Sequence, residues 1–251
     1  MLNKVPAVTL FFWVIKVLCT TVGETAADLL NDKLHLGLSG TTLVMGVLLV
    51  IALVVQMRRR AYVPAIYWVA VVLISVVGTL ITDNLTDNLG VSLVTTTIVF
   101  GAALAVTFAA WFAIERSLSI HTITTVRREA FYWLAILFTF ALGTAAGDLI
   151  AEQFGIGYLL SAGLFAGLIA LVTFAHLKLK LGAIIAFWIA YILTRPLGAS
   201  LGDYLSQPRD KGGLNLGTFA TSGIFLALIL GLVIYLSIKN TAPRPAANAR
   251  S

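Results

Sequence analysis

Residues Trp13–Asp32 read WVIKVLCTTVGETAADLLND, and the same pattern returns as WVAVVLISVVGTLITDNLTD (Trp68–Asp87), WLAILFTFALGTAAGDLIAE (Trp133–Glu152) and WIAYILTRPLGASLGDYLSQ (Trp188–Gln207). The four copies align without gaps. Trp precedes Gly by ten positions and Asp follows that Gly by five, giving Trp13, Trp68, Trp133 and Trp188; Gly23, Gly78, Gly143 and Gly198; Asp28, Asp83, Asp148 and Asp203. A recurrent period of this kind marks a repeat architecture. Spacing between the motif glycines is 55, 65 and 55 residues, and the longer interval holds a polar connector, Glu115–Glu129.

Each copy continues through a Gly-containing turn into a second apolar stretch. Expected spans are 7–30, 38–57, 63–86, 91–114, 131–152, 156–176, 182–205 and 216–238. About 20 apolar residues cross a bilayer core. Only 11% of the chain is charged, whereas soluble domains carry about 25%. The fold expected is therefore all-α, a polytopic membrane protein of eight transmembrane helices built from four tandem, parallel two-helix repeats. Repeat 1 occupies 1–60, repeat 2 61–116, a cytoplasmic connector 117–129, repeat 3 130–180, repeat 4 181–240 and a disordered cytoplasmic tail 241–251.

Two helices per unit return the chain to one side each time. That side carries Lys4, Arg58, Arg59, Arg60, Arg116, Arg127, Arg128, Lys178, Lys180, Lys239, Arg244 and Arg250; the other has Lys33, Arg209 and Lys211. The positive-inside rule places both termini in the cytoplasm and the Asp ends outside. The net charge of +6 is thus a topological signal and implies no nucleic-acid partner. The partners expected are the bilayer and a small ion or solute, with homo-oligomerisation open. Cys19 stands alone in an apolar stretch, so no internal disulfide forms and it reads as a packing residue.

The candidate chemistry lies in the acids. Four Asp at one depth, with Asp32, Asp87 and Glu152 four residues on, would form an acidic ring if the repeats surround an axis. Hydroxyls of the even helices (Ser39, Thr41, Thr42, Ser92, Thr95, Thr96, Thr97, Ser161, Thr218, Thr221 and Ser222) begin at a similar depth. Carboxylates and hydroxyls are hard donors suited to Mg²⁺, Ca²⁺ or Mn²⁺. The alternative is a solvated helix end copied by duplication without any function. The glycines, with Gly143–Gly147 and Gly198–Gly202 as GxxxG pairs, fit close helix packing. The tryptophans fit an interfacial aromatic belt.

Charges that break the repeat are more informative. Arg195 stands where the other copies have Thr20, Ser75 and Phe140, about 12 Å deeper than Asp203. Glu24 stands where they have Thr79, Thr144 and Ala199, and Lys16 is about 18 Å inward of Asp28. Intramembrane charges face a bundle interior or a pathway. Arg195 and Glu24 also fit a structural ion pair. Pro196 removes a helix hydrogen-bond donor and predicts a kink beside Arg195.

With the repeated G-x4-D motif and the opening KVPAVTLFFWVIKVLCTTVGETAADLL, nearly the whole chain resembles a poorly characterised family of bacterial integral membrane proteins described as membrane-anchored. The resemblance implies the bacterial inner (plasma) membrane and supplies no reaction. From the residues, the leading expectation is a transporter or channel for a small cation, a divalent metal such as manganese, coupled to protons. Its ion-binding residues are Glu24, Asp28, Asp83, Asp148 and Asp203, with Lys16 and Arg195 setting the internal field and competing with the cation for Glu24. An anion or carboxylate-solute transporter using Arg195 and Lys16, and a structural or sensory protein without transport, remain open. No catalytic set, phosphate loop or dinucleotide motif appears, so no enzyme is expected; the only bound group implied is a divalent cation.

Overall fold

A computed structural model describes residues 3–241. The tail expected at 241–251 lies outside these residues except for Thr241, as do Arg244 and Arg250. Among the described residues there are eight long α-helices and no strand: α1 Leu10–Leu34, α2 Gly37–Met57, α3 Pro64–Asp83, α4 Leu93–Glu115, α5 Val126–Asp148, α6 Tyr158–Lys178, α7 Ala183–Ser206 and α8 Thr218–Thr241. All eight are long and apolar enough to cross a membrane, and the chain is a multi-pass integral membrane protein.

Local chemistry sets the helix starts. Thr9, Ser92 and Thr125 cap α1, α4 and α5 by accepting from backbone N–H groups of Phe12, Thr95 and Arg128. Pro64 opens α3, where its missing N–H costs nothing. The Thr125 cap starts α5 inside the segment expected as connector, so Glu129 lies in the first helical turn. The helix α7 runs through Pro196 as one element.

The odd helices form the interior and the even ones the rim. Within the most apolar window of each odd helix 56–67% of residues are buried by protein, against 17–22% for the even helices. Around the centre the order is α1, α3, α5, α7 and back to α1. Each even helix packs chiefly on the odd helix of the following repeat: α2 on α3, α4 on α5, α6 on α7, and α8 on α1. The ring is thereby closed by the last helix packing on the first. The two-helix repeat of the sequence is consequently not the packing unit.

The motif glycines explain how tightly the ring closes. Each lies against the residue three positions before the motif glycine of the next helix: Gly23 on Ser75, Gly78 on Phe140, Gly143 on Arg195 and Gly198 on Thr20. A Cβ at any of the four would overlap its neighbour. One turn on, Gly147 touches Pro196, Gly202 touches Thr21 and Glu24, and the Thr82 hydroxyl donates to the Ala141 carbonyl at 3.1 Å. These are small-residue contacts of the membrane type, repeated four times around one axis.

The aromatic belt is overturned. Trp68, Trp133 and Trp188 are buried within the protein and only Trp13 is partly exposed. The residue before each Trp is also aromatic (Phe12, Tyr67, Tyr132 and Phe187), so both flanks of the pair find aromatic partners. Tyr67 contacts Trp68 and Trp133, Tyr132 contacts Trp133 and Trp188, and Phe12 contacts Trp13, Trp68 and Phe187. The Tyr67 and Tyr132 hydroxyls share a hydrogen bond of 2.5 Å. This aromatic layer fills the bundle near its basic end.

That end is also capped by the N-terminal segment. Lys4 and Glu129 form a buried ion pair at 2.6 Å, and Gln56 donates to Glu129 at 3.1 Å. Lys4 also donates to the Met57 carbonyl at 2.9 Å. Its role is therefore internal, where charge counting alone assigned it to topology. Glu115 in turn holds Arg127 and Arg128 at 2.5 and 2.6 Å.

Replacing Gly198 by Ala sets a Cβ against Thr20 and the Thr21 backbone. We expect a loss of about 1–3 kcal/mol, read as a lower midpoint of thermal unfolding in detergent. Gly46→Ala, with no neighbour within 4 Å of the new Cβ, should leave the midpoint unchanged.

Candidate functional site

The register that stacks glycines on one level also stacks the positions around them. Five residues after each glycine come the four Asp, and one residue after it come Glu24, Thr79, Thr144 and Ala199. The motif aspartates converge. A cup of about 240 Å³ at the acidic end of the bundle is lined by Glu24, Asp28, Asp83, Asp87, Asp148, Glu152 and Asp203, together with Asn31, Thr86 and Gln207. One carboxylate oxygen each from Glu24, Asp148 and Asp203 lies within 4.8 Å of the others. Tyr158 donates its hydroxyl to Glu152 at 2.9 Å.

Of the acids four residues beyond the motif Asp, Asp87 and Glu152 line the cup and Asp32 does not. Backbone form differs between these copies, although Gln207, at the same position after Asp203, lines the cup where α7 ends without a π-helical turn. After Asp83 and Asp148 the chain continues in π-helical turns, Asn84–Asn88 and Leu149–Gln153, whereas α1 stays α-helical to Leu34. The wider turn changes which residue follows the motif Asp on the inner face. The even-helix hydroxyls are absent from the cup lining. Ser39 and Thr42 bond to Asn84, Ser92 caps α4, and Ser222 donates to Thr25 at 2.8 Å. They serve helix contacts, and carboxylates dominate the cup.

Arg195 lies beneath the cup lining and is bonded to one of its acids, Glu24. Its guanidinium crosses the axis from α7 and reaches all three other odd helices. Nη2 donates to the Glu24 carboxylate at 2.8 Å, to the Thr144 hydroxyl at 2.7 Å and to the Thr79 hydroxyl; Nη1 donates to the Thr20 carbonyl at 3.2 Å. Glu24, Thr79 and Thr144 are the same motif position in three repeats. The fourth, Ala199, is on the arginine's own helix. The side chain of Arg195 is fully buried and that of Glu24 is 8% exposed. Glu24 belongs to both structures, to Arg195 through Oε2 and to the acids of the cup.

Lys16 lies apart from the cup. Its amine sits between the rings of Phe140 and Tyr191, at 4.3 and 4.2 Å from the centroids, with no hydrogen-bond partner. Arg195 contacts Glu24, and Lys16 does not compete for it.

Thr79 and Thr144 were not expected as ligands of Arg195, although they share with Glu24 one offset from the motif glycine. Phe140 and Tyr191, which hold Lys16, had no such signal. Chemically the site joins seven carboxylates to one guanidinium. Carboxylates this close repel unless a cation or shared protons lie among them, and an oxygen cluster of this kind suits a hard cation.

The family described as Repeat of Unknown Function (DUF347) matches residues 11–62, 66–117, 131–181 and 186–241, one match for each repeat, and the chain belongs to it. No curated protein and no solved structure matches the chain.

Removing Arg195 alone strands Glu24 as a buried acid beside other acids. Arg195→Gln should cost about 3–5 kcal/mol in detergent unfolding. The double variant Glu24→Gln/Arg195→Gln should lose less than the sum of the two single variants, and full additivity would contradict a direct pair.

Proposed function

We propose that the protein binds a small hard cation in the acidic cup and carries it across the bacterial inner membrane. The convergence of Glu24, Asp148 and Asp203 within 4.8 Å is the observation that carries the reading. Manganese is the leading cargo, because all-oxygen carboxylate sites favour hard divalent ions. In this reading both termini are cytoplasmic and the cup opens outward, following the charge asymmetry of the loops. The cation is substrate, and no enzymatic step is involved.

The axis below the cup is filled by Arg195, by Lys16 and by the aromatic layer. A carrier fits this filling better than an open channel. A cation taken up by Glu24 competes with Arg195 for the same carboxylate, so loading weakens the contact that ties α7 to α1. That competition is the natural trigger for a change between outward and inward access. The anion reading fares worse, since Arg195 is already engaged and lies beneath seven acids. A structural or sensory role is the second reading, favoured by the way Arg195 bonds to every other inner helix.

Purified protein in proteoliposomes should take up Mn²⁺, and both Glu24→Gln and Asp148→Asn/Asp203→Asn, the latter sparing the pair with Arg195, should fall to the level of empty vesicles. Screening Mg²⁺, Ca²⁺, Na⁺ and anions beside it defines selectivity. An anion flux abolished by Arg195→Gln would favour the anion reading. No flux of any solute with folded protein would leave the structural or sensory reading standing.

A further inference from the structure

Lys16 is 1% exposed, and its amine has no hydrogen-bond partner. It stands seven residues before Gly23, and Tyr191 stands seven before Gly198. Arg195 is one turn nearer the cup, about 6 Å along the helix. The Lys16 amine is held between two ring faces, those of Phe140 and Tyr191. Such faces attract an ammonium, while a neutral amine there leaves no buried charge. The cage accommodates both protonation states, as a fixed salt bridge does not.

We infer that Lys16 carries the proton exchanged against the cation of the cup, an inference that rests on the cation-binding role proposed above. The groups around it make the linkage direct. From α7 come Arg195 and Tyr191, and from its own helix Cys19. From α5 comes Phe140, and Val71 stands at the same level on α3. The apolar stretches Gly37–Met57 of α2 and 218–234 of α8 contain no titratable residue. The nearest full charge is thus Arg195, whose own charge is balanced by Glu24. A cation that draws Glu24 away leaves Arg195 unbalanced, and repulsion between guanidinium and ammonium then expels the Lys16 proton. One N–H bond breaks, its electron pair stays on nitrogen, and the proton passes to water admitted when the carrier changes access. The Tyr67–Tyr132 hydroxyl pair lies one turn further toward the basic end. Return of Glu24 to Arg195 restores the ammonium.

Isothermal titration of Mn²⁺ into the detergent-purified protein, repeated in buffers of different ionisation enthalpy, counts the protons released per ion bound. Lys16→Met should still bind Mn²⁺ and release about one proton fewer than the wild type. Lys16→Arg should give the same reduced count, because a guanidinium keeps its proton, and it keeps the test open if the Met variant does not fold. An unchanged count in either folded variant that still binds Mn²⁺ overturns the role of Lys16 and leaves the cup intact. Absence of Mn²⁺ binding by the wild type overturns the cation reading and this inference with it.

Discussion

The contact on which the rest of the bundle depends is the guanidinium of Arg195 laid across the axis onto Glu24, Thr79, Thr144 and the Thr20 carbonyl. A buried charge persists only when its hydrogen bonds and its countercharge are supplied. Here they come from three different helices at one level, so the four inner helices must stand in fixed register for the two Arg195 Nη groups to be bonded; its Nε has no partner. The glycine contacts make this reach geometrically possible, since Gly143 lies directly against the Arg195 side chain and Gly198 against Thr20. Packing without Cβ atoms and a cross-axis arginine are two aspects of one arrangement.

From that level the two ends of the bundle diverge. Toward the basic end the interior becomes aromatic and is capped by the Lys4–Glu129 pair. Toward the acidic end it opens into a cup whose acids outnumber its cations. Glu24 lies at the boundary and serves both. Because removing it disturbs a structural pair and a cup ligand together, its loss alone cannot separate stability from binding. Asp148 and Asp203 line the cup without bonding to Arg195 and therefore report on the cup more cleanly.

Much of this was legible in the repeat. Matching positions in four copies implied equal depth, and equal depth brought Asp28, Asp83, Asp148 and Asp203 to one cup once the odd helices formed a ring. The departures from the repeat at Arg195 and Glu24 pointed to the central pair. Lateral neighbours were not legible. Away from the axis the helix surfaces are apolar whether they face lipid or protein, so hydropathy does not reveal that α2 packs on α3 or that Trp68 and Trp133 turn inward. The π-helical turns that separate Asp87 and Glu152 from Asp32 leave no mark in composition. Nor does Lys4 differ, by sequence, from the loop cations that set topology; its partner Glu129 is brought to it only by the fold.

Binding of a divalent cation by Glu24, Asp148 and Asp203 in the cup is open to direct inspection. Anomalous diffraction from crystals grown with Mn²⁺ tests it most directly. A peak bridging the carboxylates of those three residues is expected, lost in crystals of Asp148→Asn/Asp203→Asn. An empty cup in well-ordered crystals, or a peak confined to loop acids such as Asp210, would contradict it.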